Sequence, residues 1–484
     1  MEKSLPKGWV NLKIGDLCIV ERGGSPRPIS KFLTDEMDGI NWIKISDGSN
    51  SNKYILATKE RIKKEGKSKS RYVQSGDLLL SNSMSFGRPY ILKTDGCIHD
   101  GWLVLKKRIS NSYDNEFLYY LLSSDFLYSQ FNDLASGSTV RNLNKELVSS
   151  CTLTFPPLPE QERIVAKLDK LFAQHEKIKK ALDRIPQLLK VFRQQVLTQA
   201  VTGKLTEQWR EGKKLNAQAY INGVLSKKKK QVQNKQIKKE KHISKIKIEN
   251  ILHTIPDDWV TGKLGEITSF SNGDRGKNYP NREEYVDEGI AFINTGHILR
   301  NGYLDANSMN YITQEKFDSL SGGKIEKNDL VYCLRGATLG KTALVEQFEK
   351  GAIASSLVLI RPIENVSKWF LYYFLVSPIG RKYIKEFDNG SAQPNLSAEN
   401  VRNYIIGIPH FHEQQEIVHR VNSLFAKADA IETRYQELKL KIDKLAQAIL
   451  HKAFKGELVP QLSTDGDAKD LLAEIMALKK ETKR

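Results

Sequence analysis

The segment RGATLGKT, residues 335–342, follows the strand-like LVYCL and carries the glycine, lysine and hydroxyl with which a phosphate-binding loop holds a nucleotide. Its spacing excludes that chemistry. A Walker A loop needs four residues between its glycines for the backbone N–H groups to converge, whereas Gly336 and Gly340 enclose three. The string TFPPLP at 154–159 has the paired prolines of an amino-methyltransferase tetrapeptide, but Phe155 and Leu158 stand where that reaction needs an Asn or Asp before them and an aromatic ring after them. Cys18, Cys97, Cys151 and Cys333 form no CxxC pair, and His410, His412 and His419 read as capping or surface residues at a helix start rather than metal ligands. There is no glycine-rich loop for S-adenosylmethionine after a convincing strand and no tight His/Asp/Glu cluster, so no catalytic residue and no metal site is expected.

Recognition chemistry remains. Lysine and arginine total 75 against 57 acids, a formal charge of +18 that points to a polyanion, nucleic acid first. The loops GGSPRP (23–28) and NGDRGKNYP (272–280) combine glycine, a cation and hydrogen-bonding side chains. From them Ser25, Arg27, Arg275, Lys277, Asn278 and Tyr279 are candidates for contact with base edges, arginine and lysine toward guanine, Asn278 toward adenine, and Tyr279 for stacking. Strands WIKISD and FINTGH end on Lys44, Ser46, Thr295 and His297, which are weaker candidates. SNSMSFGRP (81–89) and the 335–342 loop share a glycine followed by a cation, Gly87–Arg88 and Gly340–Lys341. They add Ser81, Asn82, Arg88, Arg335 and Lys341, and GSTVRNL and GSAQPNL add Arg141 and Gln393. KERIKKEGKSKSR (59–71), with seven cations against two acids, suits phosphate contact or a solvated helix.

These loops must be positioned, and the sequence shows how, because it is written twice. LPKGWVNLKIGDL (5–17) returns as IPDDWVTGKLGEI (255–267), FLYYLLSS (117–124) as FLYYFLVS (370–377), and EQERIVAKLDKLFA (160–173) as EQQEIVHRVNSLFA (413–426). The offset stays between 250 and 253. Two domain-sized copies, not a solenoid, follow from that period. Each begins with a globule of short β-branched and aromatic runs broken by Gly, Asn, Ser and Asp, an α+β pattern.

Each copy then turns helical. Ile164, Leu168, Leu171, His175, Ile178, Leu182, Ile185, Leu189, Phe192 and Val196 alternate in steps of four and three, the seam of a coiled coil. Ile417, Val421, Leu424, Ala428, Ile431, Tyr435, Leu438, Ile442, Leu445 and Ile449 repeat it. Burying such side chains is worth roughly 1.5–3 kcal/mol each before entropy, so the two stripes are expected to pack on each other. Each seam is roughly 50 Å long at about 1.5 Å per residue, or about 15 base pairs of duplex. Helix starts near Pro159 and Glu413 and stops at Gly203 and Gly456 follow from capping preferences. Pro186 falls inside the first seam without shifting its phase, which predicts a kink rather than a stop.

The reading gives a first globule at 1–157, a spacer helix at 158–204, a linker at 205–253, a second globule at 254–410, a second helix at 411–456 and a tail at 457–484. From Val224 to Ile248 the linker has ten lysines against one acid, net +9, and reads as a flexible solvated segment or a phosphate-contacting arm. Four residues inserted in it are expected to change the spacing of the two recognised half-sites. The start MEKSLPKGWV has no signal-peptide core, and no run reaches the roughly 18 apolar residues of a membrane span, so a cytoplasmic protein without membrane partners is expected.

Together the repeat, the FPPLPEQERIVAKLDKLFA and IPHFHEQQEIVHRVNSLFA segments, the TGKL and KGEL helix endings and the GW and DW starts resemble the specificity subunit of type I restriction-modification systems. The resemblance implies two target-recognition domains, each reading half of a bipartite double-stranded DNA site, and a pair of antiparallel helices between them. It places catalysis elsewhere: two methyltransferase subunits supply S-adenosylmethionine, and restriction subunits supply ATP- and Mg-dependent translocation and cleavage. It also assigns docking of the methyltransferase to Pro157, Glu160 and Gln161 and to Glu413 and Gln414, with His412 standing where the first copy has Pro159. The alternatives are a two-domain DNA-binding repressor or architectural protein, which would bind DNA tightly without a methyltransferase partner, and a nuclease or methyltransferase complete in one chain.

Overall fold

A computed structural model gives the fold and describes residues 5–49, 52–82, 86–135, 142–238, 243, 245–387 and 395–481. The chain forms two compact units, Met1–Asp183 with Gln436–Arg484, and Arg184–Tyr435. Each unit thus contains one globule, the helix nearest to it, and part of the other copy's helix.

In unit 1 the central sheet runs in the order Cys18–Arg22, Trp102–Lys107, Leu78–Ser81, Pro89–Leu92, Tyr54–Ile55. Its three inner strands are buried on both faces. Leu78, Leu80, Leu103 and Leu105 point into a core shared with the helices, and Leu79, Tyr90, Trp102 and Val104 into a core beneath a second five-stranded sheet. A strand alternates its side chains, so a run such as LLLS needs apolar cover on each side. Unit 2 repeats the plan with four strands, Thr268–Asn272, Leu357–Pro362, Leu330–Cys333 and Thr342–Leu344, and a three-stranded second sheet. The fold is α+β, as the patterning indicates.

The helices run Leu158–Leu182, Ile185–Val201 and Phe411–Phe454. In unit 1, His175 Nε2 lies 2.9 Å from the Ile442 carbonyl and Arg163 forms an ion pair with Asp465. In unit 2, Arg193 reaches Asp429 and Glu432 at 2.8 and 3.0 Å, and Arg210 reaches Glu413 at 2.7 Å. In each unit, partner numbers that rise along the first copy's helix and the segment just after it fall along the second copy's helix and the segment just after it, so the helices pair antiparallel.

Of the seam, Ile164, Leu168, His175, Leu189, Val196, Ile417, Val421, Ala428, Tyr435 and Ile449 are buried, and Leu171, Leu182, Ile185, Leu424 and Ile442 half-buried. Ile178, Phe192, Ile431, Leu438 and Leu445 are exposed, against expectation. Two helices alone cover only the strip between them. The helices Asn115–Leu122 and Lys368–Val376 add a third layer only toward the globules, where Tyr120 stacks on Phe172 and Tyr373 meets Phe425 edge-on.

Three further expectations are corrected. Pro186 does not kink one helix; the helix stops at Leu182 and restarts at Ile185, with the proline in the first turn, where a missing N–H leaves no bond unmade. The linker is not a free arm. Residues 217–233 form a helix that buries Ile221 and Val224 on the unit 2 core, with Ala217 buried as well, while Lys228 donates to the carbonyls of Gly265 and Thr268. Nor is the end of the chain a tail. Ala468–Glu481 is a helix that buries Ala468 and Ile475 on the unit 1 core, with Lys479 paired to Asp16. These two clasps extend the repeat, Ala217, Val224 and Lys228 corresponding to Ala468, Ile475 and Lys479 at an offset of 251. Each copy closes on the globule of the other. Residues 211–214, just ahead of the first clasp, are exposed.

Candidate nucleic-acid interface

The candidate loops gather at one end of each central sheet. Gly23 N donates to the Trp102 carbonyl at 2.9 Å, Asn82 N to Gly101 at 2.9 Å and Gly87 N to Ser81 at 2.9 Å, which ties three loops together where Cys18–Arg22 ends and Trp102–Lys107 begins. This is the end remote from the clasp, since Asp16, which holds Lys479, precedes the opposite end of the same strand. Unit 2 repeats the bonds, Leu334 N to Ser356 at 2.9 Å and Gly340 N to Cys333 at 2.9 Å. Glycine is required at Gly23 and Gly273, where a Cβ would lie 2.1 and 2.4 Å from the carbonyls of His99 and Ala354.

In unit 1, Ser25, Arg27 and Lys44 line one cleft of about 700 Å³ together with Trp42, Glu60, His99 and Asp100. Asp100 is its hub. Its carboxylate accepts from Ser25 Oγ at 2.7 Å, lies 2.9 Å from His99 Nε2 and 3.5 Å from the guanidinium of Arg27, while its carbonyl accepts from Asn82 Nδ2 at 2.9 Å. Burial raises the Asp100 carboxyl, but the Ser25 hydroxyl and the His99 and Arg27 charges outweigh it and hold the group below the usual carboxylate range. Arg27 keeps 81% of its side chain in solvent, so its guanidinium is anchored on one side and free to donate on the other.

In unit 2 the equivalent loop is organised from within. Asp274 accepts from Gly276 N and Ser321 N at 2.7 Å each and from Ser321 Oγ at 2.9 Å, and these bonds hold its carboxyl below the usual range. Arg275 and Lys277 project into solvent. Arg275 Nη2 meets the Ser355 carbonyl at 3.5 Å, the place that Asp100 takes in unit 1. Asn278 donates to the Ser319 carbonyl at 2.8 Å.

Several candidates are placed otherwise than expected. Ser81 and Asn82 are buried, the serine accepting from Arg88 N at 2.9 Å, so both shape the loop rather than face a ligand. His297 is buried, its Nδ1 accepting from Asn294 N at 3.1 Å, and burial lowers its pKa. Tyr279 packs edge-on against Phe292 with centroids 5.8 Å apart, in the core rather than as a free stacking ring. Lys44 is tied to Glu60. Ser46, Arg88 and Arg335 are exposed, and Thr295 and Lys341 half-buried. Arg141 and Gln393 lie outside the described residues. The stretch 59–71 forms two strands about a 3₁₀ turn, not a helix. Sequence reasoning passed over His99, Asp100, Glu60 and Asp274; only the hydrogen-bonded pairing of distant loops brings them to this face.

The residues expected to dock a partner are interior. Glu160, Gln161, Glu413 and Gln414 are at most 2% exposed, and Pro157 is buried with them. Trp9 Nε1 donates to Glu160 at 2.9 Å and Trp259 Nε1 to Glu413 at 3.1 Å. Gln161 and Gln414 each donate to a proline carbonyl, Pro156 and Pro409, and each accepts a backbone N–H, from Asp114 and Ser367. These side chains staple each helix start to its globule and leave nothing for a partner to touch.

Residues 6–187 and 256–440 both match the family model described as the type I restriction modification DNA specificity domain. The chain belongs to that family. Among its relatives, the type I restriction enzyme EcoBI specificity subunit of Escherichia coli is 30% identical over 98% of this chain and 93% of its own length. The EcoKI specificity subunit of Escherichia coli K12 is 26% identical over 98% and 96%. The crystal structure of the HsdS subunit from Thermoanaerobacter tengcongensis aligns with a TM-score of 0.61 at 19% identity, covering 94% of this chain and 99% of that one, a likeness of fold. The family matches leave out the clasp helices of both units. No described helix is long and apolar enough to cross a membrane.

Proposed function

We propose that this chain is the DNA sequence-specificity subunit of a type I restriction-modification complex, a non-catalytic component that reads a bipartite duplex site with one recognition unit per half. The observation that carries this reading is the pair of family-matched domains whose loops occupy the equivalent end of each domain's own central sheet with unlike side chains, Arg27, His99, Asp100 and Glu60 in one and Arg275, Lys277 and Asn278 in the other. Arginine can bind guanine O6 and N7 bidentately, and a carboxylate can accept from cytosine N4, so the two faces suit different base pairs. Partners are two methyltransferase subunits carrying S-adenosylmethionine and restriction subunits using ATP and Mg, in the cytoplasm. Their docking falls on outward helix faces, where Ile178 and Leu188 remain 45% and 63% exposed, rather than on the buried Glu160–Gln161 and Glu413–Gln414 staples.

The test is selection of bound duplexes from a randomised pool by the full chain purified with its methyltransferase partner. One bipartite motif with unlike halves is expected. A single contiguous motif, or equally tight selection by the chain alone, would favour a repressor instead.

A further inference from the structure

In unit 1 the basic stretch 59–71 folds against the reading loop. Lys64–Lys69 is a 3₁₀ turn between the strands Glu60–Ile62 and Arg71–Val73. A Cβ on Gly66 would sit 3.4 Å from the Phe32 ring and 3.5 Å from Pro26 Cγ, and one on Gly24 would sit 3.4 Å from the Lys69 carbonyl. Lys63 N donates to the Phe32 carbonyl at 2.8 Å, and Ser70 Oγ and Gly24 N share the Ile98 carbonyl at 3.2 and 3.1 Å. The turn is therefore contiguous with the loop that carries Ser25 and Arg27.

Three of its cations are not neutralised within the protein. Lys63, Lys67 and Lys69 are exposed, and among the described residues no carboxylate pairs with them, whereas Lys64 is paired to Asp38 and Arg71 to Glu21. Lys67 Nζ lies 3.9 Å from the centre of the Tyr72 ring and Lys69 Nζ 4.8 Å from that of Phe32, so a ring face steadies each ammonium and leaves its other side to solvent.

The repeat shows that the fold does not require this charge. In unit 2 the matching stretch runs from the strand Asn310–Ile312 through the helix Gln314–Ser319 to the bridge between Lys324 and Ala352. Residues 309–325 hold two cations against two acids, where residues 59–73 hold seven against two. Lys316 is tied to Glu284, and Phe317 takes the place of Lys67, with Lys324 over its ring.

We propose that the Lys63–Lys69 turn of unit 1 is a binding site for backbone phosphates of duplex DNA, beside the bases that the adjoining loop meets, and that unit 2 has no equal to it. The proposal rests on the reading of unit 1 as a DNA-recognition domain. Phosphate contacts position a reader without carrying sequence information, and each one adds to the salt dependence of binding. The unit 1 half of the site therefore carries the larger share of that dependence.

The test uses the full chain purified with its methyltransferase partner and a fluorescein-labelled duplex, titrated by anisotropy at several salt concentrations. Lys63→Gln, Lys67→Gln and Lys69→Gln combined should lower the slope of log affinity against log salt by more than the about 0.9 of a single contact, and by up to about 2.7 for three. The affinity lost between about 50 and 200 mM salt then shrinks by about 4- to 40-fold. Selection from a randomised pool should return the same motif in both halves. Lys324→Gln in unit 2 should lower the slope by no more than about 0.9. A triple variant whose slope falls no further than that would overturn the proposal, as would relaxed selection at any base, which would make the turn a base reader. A wild type that binds duplex without selecting a bipartite motif would contradict the specificity reading alone, because the slopes still measure the phosphate contacts of the turn.

Discussion

The helix-start staple and the reading loops have had the same time to diverge between the two copies, and they have done so very differently. Trp9–Glu160 and Trp259–Glu413 differ by 0.2 Å, and the Gln161 and Gln414 bonds to proline carbonyls by 0.1 Å. At the other end of the sheets, Asp100 has three side-chain partners in unit 1, whereas the equivalent place in unit 2 offers Arg275 the Ser355 carbonyl. A buried polar group left without its partner costs about 1–3 kcal/mol, whereas an exposed loop residue can change at almost no cost to folding. The frame is therefore held by desolvation, and the loops are left free to specify.

The largest expected effect is at a point where the frames themselves differ. Asp329 is fully buried and held by Arg361 through Nε and Nη2 at 2.7 and 2.8 Å, whereas its unit 1 counterpart Asp77 is half-buried and Lys106, in the place of Arg361, pairs with Glu21 instead. Arg361→Ala should destabilise unit 2 by about 3–5 kcal/mol in urea unfolding, because it leaves a buried carboxylate uncompensated. Lys106→Ala should cost less than about 1 kcal/mol. Equal losses would erase the distinction.

The staples give the next contrast. Glu413 accepts from Arg210 and Thr206 as well as Trp259, while Glu160 has Trp9 and Gln461 and, among the described residues, no cation in contact, and burial raises its pKa despite those two hydrogen bonds. Glu413→Gln should therefore cost about 2–3 kcal/mol by stranding Arg210, and Glu160→Gln at most about 1 kcal/mol. The sign for Glu160 is that of a raised carboxyl: its ionisation lowers stability as pH rises past the unfolded value of about 4.3, so the Gln variant should flatten that part of the pH profile.

Smaller effects separate the readers. Arg27→Ala and Arg275→Ala should each cost about 1–3 kcal/mol of discrimination at one base pair, in different halves of the site. The smallest effect concerns His253, half-buried with both ring nitrogens out of solvent and without a hydrogen-bond partner among the described residues, and pushed down to about 4 by burial and by Lys382. Its neutral form is the folded one, so stability is full above the unfolded pKa of about 6.5 and falls as pH drops toward 4. His253→Phe should remove that dependence and stabilise unit 2 by about 1 kcal/mol at neutral pH.

Much of this architecture was legible in the residues. The seam phase, the repeat register and the helix stops at Gly203 and Gly456, with φ of 74° and 73°, follow from periodicity and capping. The staples were not, because Glu and Gln read as surface types until Trp9 and Trp259 are seen to bond them. The clasps were hidden by charge: the lysines around Ala217, Ile221 and Val224 mask an apolar i, i+4, i+7 stripe. Pro186 preserved the seam phase while ending the hydrogen-bond ladder, and apolar phase alone carries no information about that ladder. The candidate loops were legible as loops, but which side chains point outward depends on contacts such as Ser25–Asp100 that no spacing encodes.

The most direct test is to co-express the chain with its methyltransferase partner and map methylated adenines genome-wide for the wild type, Arg27→Ala and Arg275→Ala. Two unlike half-sites at fixed separation are predicted, with each substitution relaxing one half and sparing the other. A motif that either substitution degrades throughout, or a single uninterrupted motif, would contradict the account.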